Sequence, residues 1–191
     1  MPRLFTGIEL PDGVREQLRR LKSPLPGAKW VELENLHLTL RFAGDIDNRV
    51  ADELVEHLAE IRVDAFEMRL RGVGAFGGND PKVIWAGVEA GPQLALLAKA
   101  NEKAARLAGL NPEGRAFRAH VTLARLRYGR VDSVARWLQH NGGFASEPFR
   151  ADHFVLYSSR PQVGGGPYVV EEAFPLGGAL PRDYLEHGKS W

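Results

Sequence analysis

Alternating apolar and polar residues predict short β-strands at intervals along most of the chain. These segments are RLFTGIEL, KWVEL, ENLHLTLRFAG, FEMRLRGVGAF, KVIWAGVE, FRAHVTLARL, PFRADHFVLYSS and YVVEEAFPL. Helical spacing of apolar residues predicts four helices, over 11–21, from Asp45 or Asp47 to about Ile61, over 92–108, and over 131–141. The tail after Gly177 reads as irregular. Several strands follow one another without an intervening helix, which predicts an α+β fold with mainly antiparallel pairing.

One tetrapeptide pattern occurs twice, as HLTL at His37 and as HVTL at His120. The chain has only six histidines and three threonines, so a chance His-x-Thr is expected roughly 0.1 times. Each copy lies in a predicted strand that a predicted helix follows. The repeat predicts one domain over 1–191 with two pseudo-symmetric lobes, outer helices and a central groove. The lobe boundary is expected near 87–92, in GVEAGP.

Within a strand, residues two apart point to the same side. His37 and Thr39 therefore share one face, and the leucines between and after them face the core. The same holds for His120 and Thr122. If the two strands meet near a pseudo-twofold axis, two imidazoles and two hydroxyls converge on one small volume.

Composition narrows the class of protein. The chain has 191 residues, no cysteine and a net charge of +1. Disulfides, thiolate catalysis and cysteine–zinc sites are excluded, and the composition agrees with a cytoplasmic protein. The N-terminus MPRLFTGIEL does not resemble a signal peptide, and no stretch approaches the 18 apolar residues of a membrane span. We expect a monomer without a membrane segment.

Arginine is concentrated around the second tetrapeptide. The stretch GRAFRAHVTLARLRYGR contains no acidic residue and five arginines: Arg115, Arg118, Arg125, Arg127 and Arg130. Arginine is a better bidentate phosphate ligand than lysine. The alternative explanation is that a GC-rich genome favours arginine codons and that these side chains extend along the protein surface.

The paired His-x-Thr suits a phosphodiester substrate. Hydrolysis needs a base to activate the nucleophile and an acid to protonate the leaving oxygen, and imidazole serves either task near neutral pH. Threonine hydroxyls can donate to the non-bridging oxygens. The set is a poor metal site, because Mg²⁺ prefers carboxylates and zinc needs three or more close ligands. We therefore expect no metal and no cofactor.

A lone strand histidine is most simply structural, and the remaining four histidines show no paired pattern. We expect His57 and His140 at helix surfaces and His153 as a structural residue. His187 follows no pattern.

The segments NLHLTLRFAGD and RAHVTLAR resemble the two signature motifs of the two-histidine phosphoesterases. The similarity is greatest to the RNA 2′,3′-cyclic phosphodiesterases, also called 2′-5′ RNA ligases. RLFTGIELP, the GVGAF…VIWAGV hairpin and FVLYSS extend it over most of the chain. The resemblance implies a bilobal α+β fold and metal-independent opening of a 2′,3′-cyclic phosphate at RNA 3′ ends to a 2′-phosphate.

By position, the resemblance implies that His37 donates a proton to the leaving 3′ oxygen and that His120 accepts one from water. Thr39 and Thr122 correspond to the phosphate-holding hydroxyls. The acid and base labels stay open, because spacing does not distinguish two near-symmetric histidines and the reverse reaction exchanges the roles.

The resemblance also implies that Arg125 binds the phosphate and that Phe42 stacks on the terminal base. Each follows its histidine by five residues, an offset that reverses the face of a regular strand. Both therefore need a bulge, a twist or a strand end to reach the groove. The alternatives are core packing for Phe42 and a surface charge for Arg125.

Two other functions fit the same residues. One is an RNA-binding module that holds a phosphate without cleaving it. The other is a related enzyme that acts on a small cyclic nucleotide or on ADP-ribose cyclic phosphate. The 2′-5′ ligation reaction is the same site run in reverse.

Overall fold

The computed structural model describes residues 3–159 and 167–177. Over these residues the strands are β1 (Arg3–Glu9), β2 (Ala28–Trp30), β3 (His37–Asp45), β4 (Phe66–Phe76), β5 (Val83–Ala90), β6 (His120–Leu126), β7 (Phe149–Ala151), β8 (His153–Ser159) and β9 (Val169–Pro175). The helices are α1 (Asp12–Arg19), α2 (Asn48–Ala59), α3 (Pro92–Leu107) and α4 (Val131–Asn141), with a short 3₁₀ helix at Leu33–Asn35. The whole tail after Gly177, including His187, lies outside the described residues.

The strands form a sheet of order β7-β4-β5-β6-β3-β1-β8-β9, with β2 paired to β6. The pairs within it are antiparallel. The predicted α+β class with mainly antiparallel pairing is confirmed. One half holds β1, β3, β8 and β9, and the other holds β2 and β4 to β7. The lobe boundary near 87–92 stays a prediction, and in the sheet this segment joins the end of β5 to α3.

The two His-x-Thr strands lie side by side at the centre of the sheet. Leu38 of β3 pairs with Val121 of β6. Both side chains are fully buried in the main core, with residues of all four helices. The helices therefore cover the leucine face, and the histidine face is the opposite one, as the alternation predicted.

Local signals begin and end the helices largely where the sequence predicted. Asp47 caps α2, because its side chain accepts a hydrogen bond from the backbone N–H of Val50 at 2.9 Å. Pro92 opens α3, and Gly109, at a φ of 91°, follows its end. None of the helices in the described ranges is long and apolar enough to cross a membrane.

A second, smaller apolar cluster lies apart from the main core. Phe5, Val155 and Tyr157 form it, and Tyr168 and Val170 pack against it. Its aromatic rings contact His37. The histidine face of β3 is thus covered in part by residues from β1, β8 and the start of β9.

Candidate active site

The four motif side chains occupy adjacent positions on one face of the sheet. Extending the register of the Leu38–Val121 pair by one residue on each side sets His37 opposite Thr122 and Thr39 opposite His120. Side chains that face each other across an antiparallel pair lie on the same side of the sheet. All four are partly exposed. The structure therefore brings the two predicted pairs together.

Both histidines are oriented by a backbone carbonyl two residues earlier. The Nδ1–H of His37 donates to Asn35 O at 2.7 Å, and the Nδ1–H of His120 donates to Arg118 O at 2.6 Å. A carbonyl oxygen only accepts, so Nδ1 carries the proton in each ring. The Nε2 atoms are left for chemistry. That of His37 accepts from the Thr39 hydroxyl at 2.9 Å.

Burial is the largest influence on the pKa of His37 and lowers it to about 4. The hydrogen bond from Nδ1 to Asn35 O opposes this change. The positive charges of Arg125, Arg15 and His120 lower the pKa further. His37 is therefore neutral at neutral pH in the protein without substrate. The same effect shows that Arg125 lies within electrostatic reach of the His37 ring.

A β-bulge in each motif strand brings the fifth residue after the histidine to the histidine face. In β3, Thr39 pairs with Gly7 and Arg41 pairs with Thr6, so Leu40 has no partner across the strand. Phe42 then pairs with Phe5, two residues from Gly7 along β1. Alternate residues of β1 share a face, so Phe42 shares the face of Thr39.

The bulge in β6 has the same position relative to its motif. Thr122 pairs with Trp85 and Ala124 pairs with Ile84, which leaves Leu123 without a partner on β5. Arg125 pairs with Val83 and so shares the face of Thr122. The offset of five thus reaches the groove through a bulge in both strands.

Phe42 and Arg125 are both exposed in the structure. Phe42 is 51% exposed, so it is not a core residue. Its ring centroid lies 5.7 Å from that of Phe5. Arg125 is exposed, and it has no ion-pair partner within the described ranges. Its cross-strand neighbour on β2 is Lys29, which adds a second cation to this face.

A cavity of about 500 Å³ adjoins the motif residues. Thr39, His120 and Phe42 line it, together with the loop that precedes β6. That loop contributes the 40% exposed ring of Phe117 and two arginines, Arg115 and Arg118.

The loop is attached to β3 through Arg41. Arg41 forms an ion pair with Glu102 of α3 and donates to Asn111 O at 2.6 Å. Glu102 in turn accepts from the backbone N–H of Glu113 at 3.1 Å. These bonds fix the start of the loop that leads to Arg118 and His120.

The remaining described histidines lie away from the paired motif. His140 is exposed on α4, and His57 of α2 lies 3.8 Å from the Glu60 carboxylate. His153 is 2% exposed and contacts Glu9 at 2.9 Å and Asp152 at 2.7 Å. Burial acts to lower the pKa of His153, but its carboxylate partners together raise it above the ordinary value. This arrangement fits the structural role that was expected.

Sequence reasoning missed several residues that contact or border the site. Asn35 and Phe117 precede the histidines by two and three positions, and Tyr168 reaches His37 from 131 residues further along the chain. Lys29 reaches the groove through β2. Proximity to the motif would have indicated the first two. Among the described residues, no group of three or more His, Asp or Glu is placed to hold a metal ion.

The family described as LigT-like phosphoesterase matches residues 8–85 and 87–168. A protein of Aeropyrum pernix named RNA 2′,3′-cyclic phosphodiesterase is 44% identical over 60% of this chain, a match that spans 66% of that relative. A protein of Aquifex aeolicus with the same name is 30% identical over 92% of this chain and 98% of its own length. The crystal structure of E. coli LigT complexed with 3′-AMP has a TM-score of 0.76 and 26% identity, covering 92% of this chain and 99% of that one.

Proposed function

This chain belongs to the LigT-like phosphoesterase family, and we propose that it is a hydrolase that opens 2′,3′-cyclic phosphodiesters at RNA 3′ ends to 2′-phosphomonoesters. The observation that carries the proposal is the adjacency of the two His-x-Thr strands on the exposed face of the sheet. The names of the relatives agree with it.

The reaction uses the two imidazoles on opposite sides of phosphorus. One Nε2 takes a proton from water as its oxygen attacks, and the other gives a proton to the 3′ oxygen as the P–O3′ bond breaks. The hydroxyls of Thr39 and Thr122 donate to the non-bridging oxygens, where negative charge grows in the transition state. Arg125 pairs with the same oxygens.

The role of His37 as the proton donor requires that substrate raise its pKa. The ring is neutral in the free protein, because its pKa is about 4. A phosphate charge about 4 Å away contributes roughly 4 kcal/mol at an effective dielectric near 20. That energy corresponds to about three pKa units, which is enough to raise the pKa of His37 close to neutral pH. In the reverse assignment His37 is the base, and its neutral state needs no change.

Replacing the bridging 3′ oxygen by sulfur separates the two assignments. A thiolate leaves without a proton, so the sulfur substrate restores turnover to a variant that lacks only the acid. If His37 is the donor, His37→Ala regains most activity on the sulfur substrate and His120→Ala does not. The opposite pattern exchanges the roles.

The terminal base is expected in the cavity beside Thr39 and His120. The exposed faces of Phe42 and Phe117 offer stacking surfaces that any base can use. Arg115 and Arg118 supply charge for the phosphate on the 5′ side. Action without a metal, as a monomer in the cytoplasm, and reverse 2′-5′ ligation remain part of the proposal.

The direct test incubates the purified protein with an oligonucleotide that ends in a 2′,3′-cyclic phosphate, with EDTA present. We expect a product heavier by one water in mass spectrometry, with the 2′-phosphate distinguished from the 3′-phosphate by chromatography against authentic standards of both isomers. An intact cyclic end at high protein concentration would favour the RNA-binding module. Faster turnover of a cyclic mononucleotide than of the oligonucleotide would favour the small-nucleotide enzyme.

A further inference from the structure

Asn35 accepts two hydrogen bonds, one from His37 and one from Tyr168, whose ring covers His37. It ends the 3₁₀ helix, one residue from the start of β3, and is 7% exposed. Its carbonyl oxygen accepts from the Nδ1–H of His37 at 2.7 Å. Its side-chain oxygen accepts from the backbone N–H of Tyr168 at 3.0 Å, across 133 positions of sequence.

Tyr168 is the residue next to β9, and its ring covers His37. The two ring centroids lie 5.2 Å apart with an interplanar angle of 90°. The same tyrosine ring meets Phe5 edge-on at 5.0 Å. Phe5 and Tyr157 contact His37 from the sheet at 5.0 and 5.4 Å. Tyr168 is therefore the one ring of this group that comes from outside the paired strands β1 and β8.

We infer that Asn35 is a positioning residue that fixes the rotation of the His37 ring through its carbonyl and holds Tyr168 against that ring through its side chain. The inference rests on the proposed function for its catalytic meaning, but the geometry is independent of it. One buried residue, through its backbone carbonyl and its side chain, thereby couples the orientation of the histidine to the aromatic cover that limits the contact of His37 with water.

The second motif has only part of this arrangement. Arg118 precedes His120 by the same two positions, and its carbonyl accepts the equivalent bond at 2.6 Å. The rings against His120 are Phe76 at 5.0 Å and Trp85 at 6.4 Å, both from the strands of its own half. Among the residues that the structure describes, the link from the residue before the motif to a distant aromatic segment occurs on the His37 side.

The charged groups of the described residues near His37 lie on β1, β6 and α1. The effect of the aromatic cover on the pKa of His37 can therefore be measured separately from theirs. Arg125 of β6, Arg15 of α1 and His120 act to lower its pKa. Glu9, the cross-strand neighbour of His37 on β1, directs its carboxylate to His153 at 2.9 Å. None of these groups is altered by a change at Asn35 or Tyr168.

The test is an NMR titration of the imidazole C–H signals without substrate, in wild type, Asn35→Ala and Tyr168→Leu. Wild type should titrate at His37 near the low pKa of about 4. Both variants should move this midpoint toward the ordinary value of about 6.5, because water reaches the ring. Tyr168→Phe is the matched control, since it keeps the ring and the backbone N–H and should leave the midpoint in place.

Kinetics give a second readout. Asn35→Ala keeps the backbone carbonyl that accepts from His37 but removes the bond to Tyr168. It is expected to reduce kcat/KM on the cyclic-ended oligonucleotide by about tenfold, because the aromatic cover no longer confines the ring. A purely structural Asn35 would lower the melting temperature and leave the His37 midpoint unchanged, and that result overturns the inference. If Asn35→Ala does not fold, the His37 midpoint of Tyr168→Leu decides between the same two outcomes. Lack of turnover by wild type would contradict the proposed function alone, since the titration uses no substrate.

Discussion

The two motif strands present the same pair of side chains in unlike surroundings. His37 has bonds at both ring nitrogens and three aromatic rings around it. Over the described part of the chain, His120 has a bond at Nδ1, and the rings that contact it are those of Phe76 and Trp85. A repeated sequence motif has therefore produced two chemically different imidazoles.

This difference shows that the immediate strand and the distant packing contribute separately. The strand and its bulge give each half the same set: a histidine, a threonine and a fifth residue on one face. The burial that lowers the pKa of His37 comes from β1, β8 and the start of β9. A general acid and a general base need unlike environments, and packing beyond the motif supplies them.

The largest expected effect tests whether the two halves are equally necessary. His37→Ala and His120→Ala should each reduce kcat on a cyclic-ended oligonucleotide by roughly 10²- to 10⁴-fold, since each removes one proton transfer. Single-turnover rates at saturating protein measure this directly. His140→Ala, on the exposed face of α4, is the control and should match wild type. Full activity in either motif variant would exclude the two-histidine mechanism.

The next effect concerns Arg125, which lies on β6 and acts electrostatically on His37 of β3. Arg125→Gln should lower kcat/KM by roughly 10- to 100-fold, because a hydrogen bond to a charged group contributes about 1.5 to 3 kcal/mol. It should also raise the pKa of His37, since the Arg125 charge lowers it. Lys29→Gln, on the neighbouring strand, is the matched change and should have a smaller effect. Equal losses in the two variants would indicate general attraction of RNA rather than contact with the reacting phosphate.

The threonines should differ even though their motifs match. Thr39→Val and Thr122→Val each remove a hydroxyl for the non-bridging oxygens, with an expected loss of about tenfold. In the protein without substrate, Thr39 instead donates its one hydroxyl proton to Nε2 of His37 at 2.9 Å. Its loss should therefore change the pH dependence of kcat/KM as well as its size. Identical pH profiles for the two valine variants would mean that this bond does not affect the proton transfer.

The sequence predicted the motif face and the need for a bulge, a twist or a strand end, because both follow from strand periodicity over a few residues. Leu38 and Val121 are buried as the alternation required, and Phe42 and Arg125 share the histidine face. What could not be predicted depends on contacts between distant parts of the chain. The bond from Asn35 to Tyr168 spans 133 positions and has no local signature.

The same limit applies to burial. Strand propensity placed Phe42 in β3 but did not decide between core and groove, because a bulge changes the face without changing composition. His153 shows the reverse case. Its pattern resembled no motif, and its structural role follows from Glu9, which lies 144 positions away.

The smallest expected effect is a shift in the pKa of His37 when phosphate binds, and it is measured without any reaction. In the free protein the pKa of His37 is about 4, so the ring binds no proton at neutral pH. A bound phosphate adds negative charge beside it and should raise that pKa by up to about three units. NMR titration of His37 with and without saturating 3′-AMP measures the change, and Arg125→Gln, which is expected to weaken phosphate binding, serves as the comparison. An upward shift fits His37 as the proton donor, since a donor must carry its proton when substrate is bound. A midpoint that 3′-AMP leaves near 4 would contradict that role and make His37 the base, with His120 as the acid.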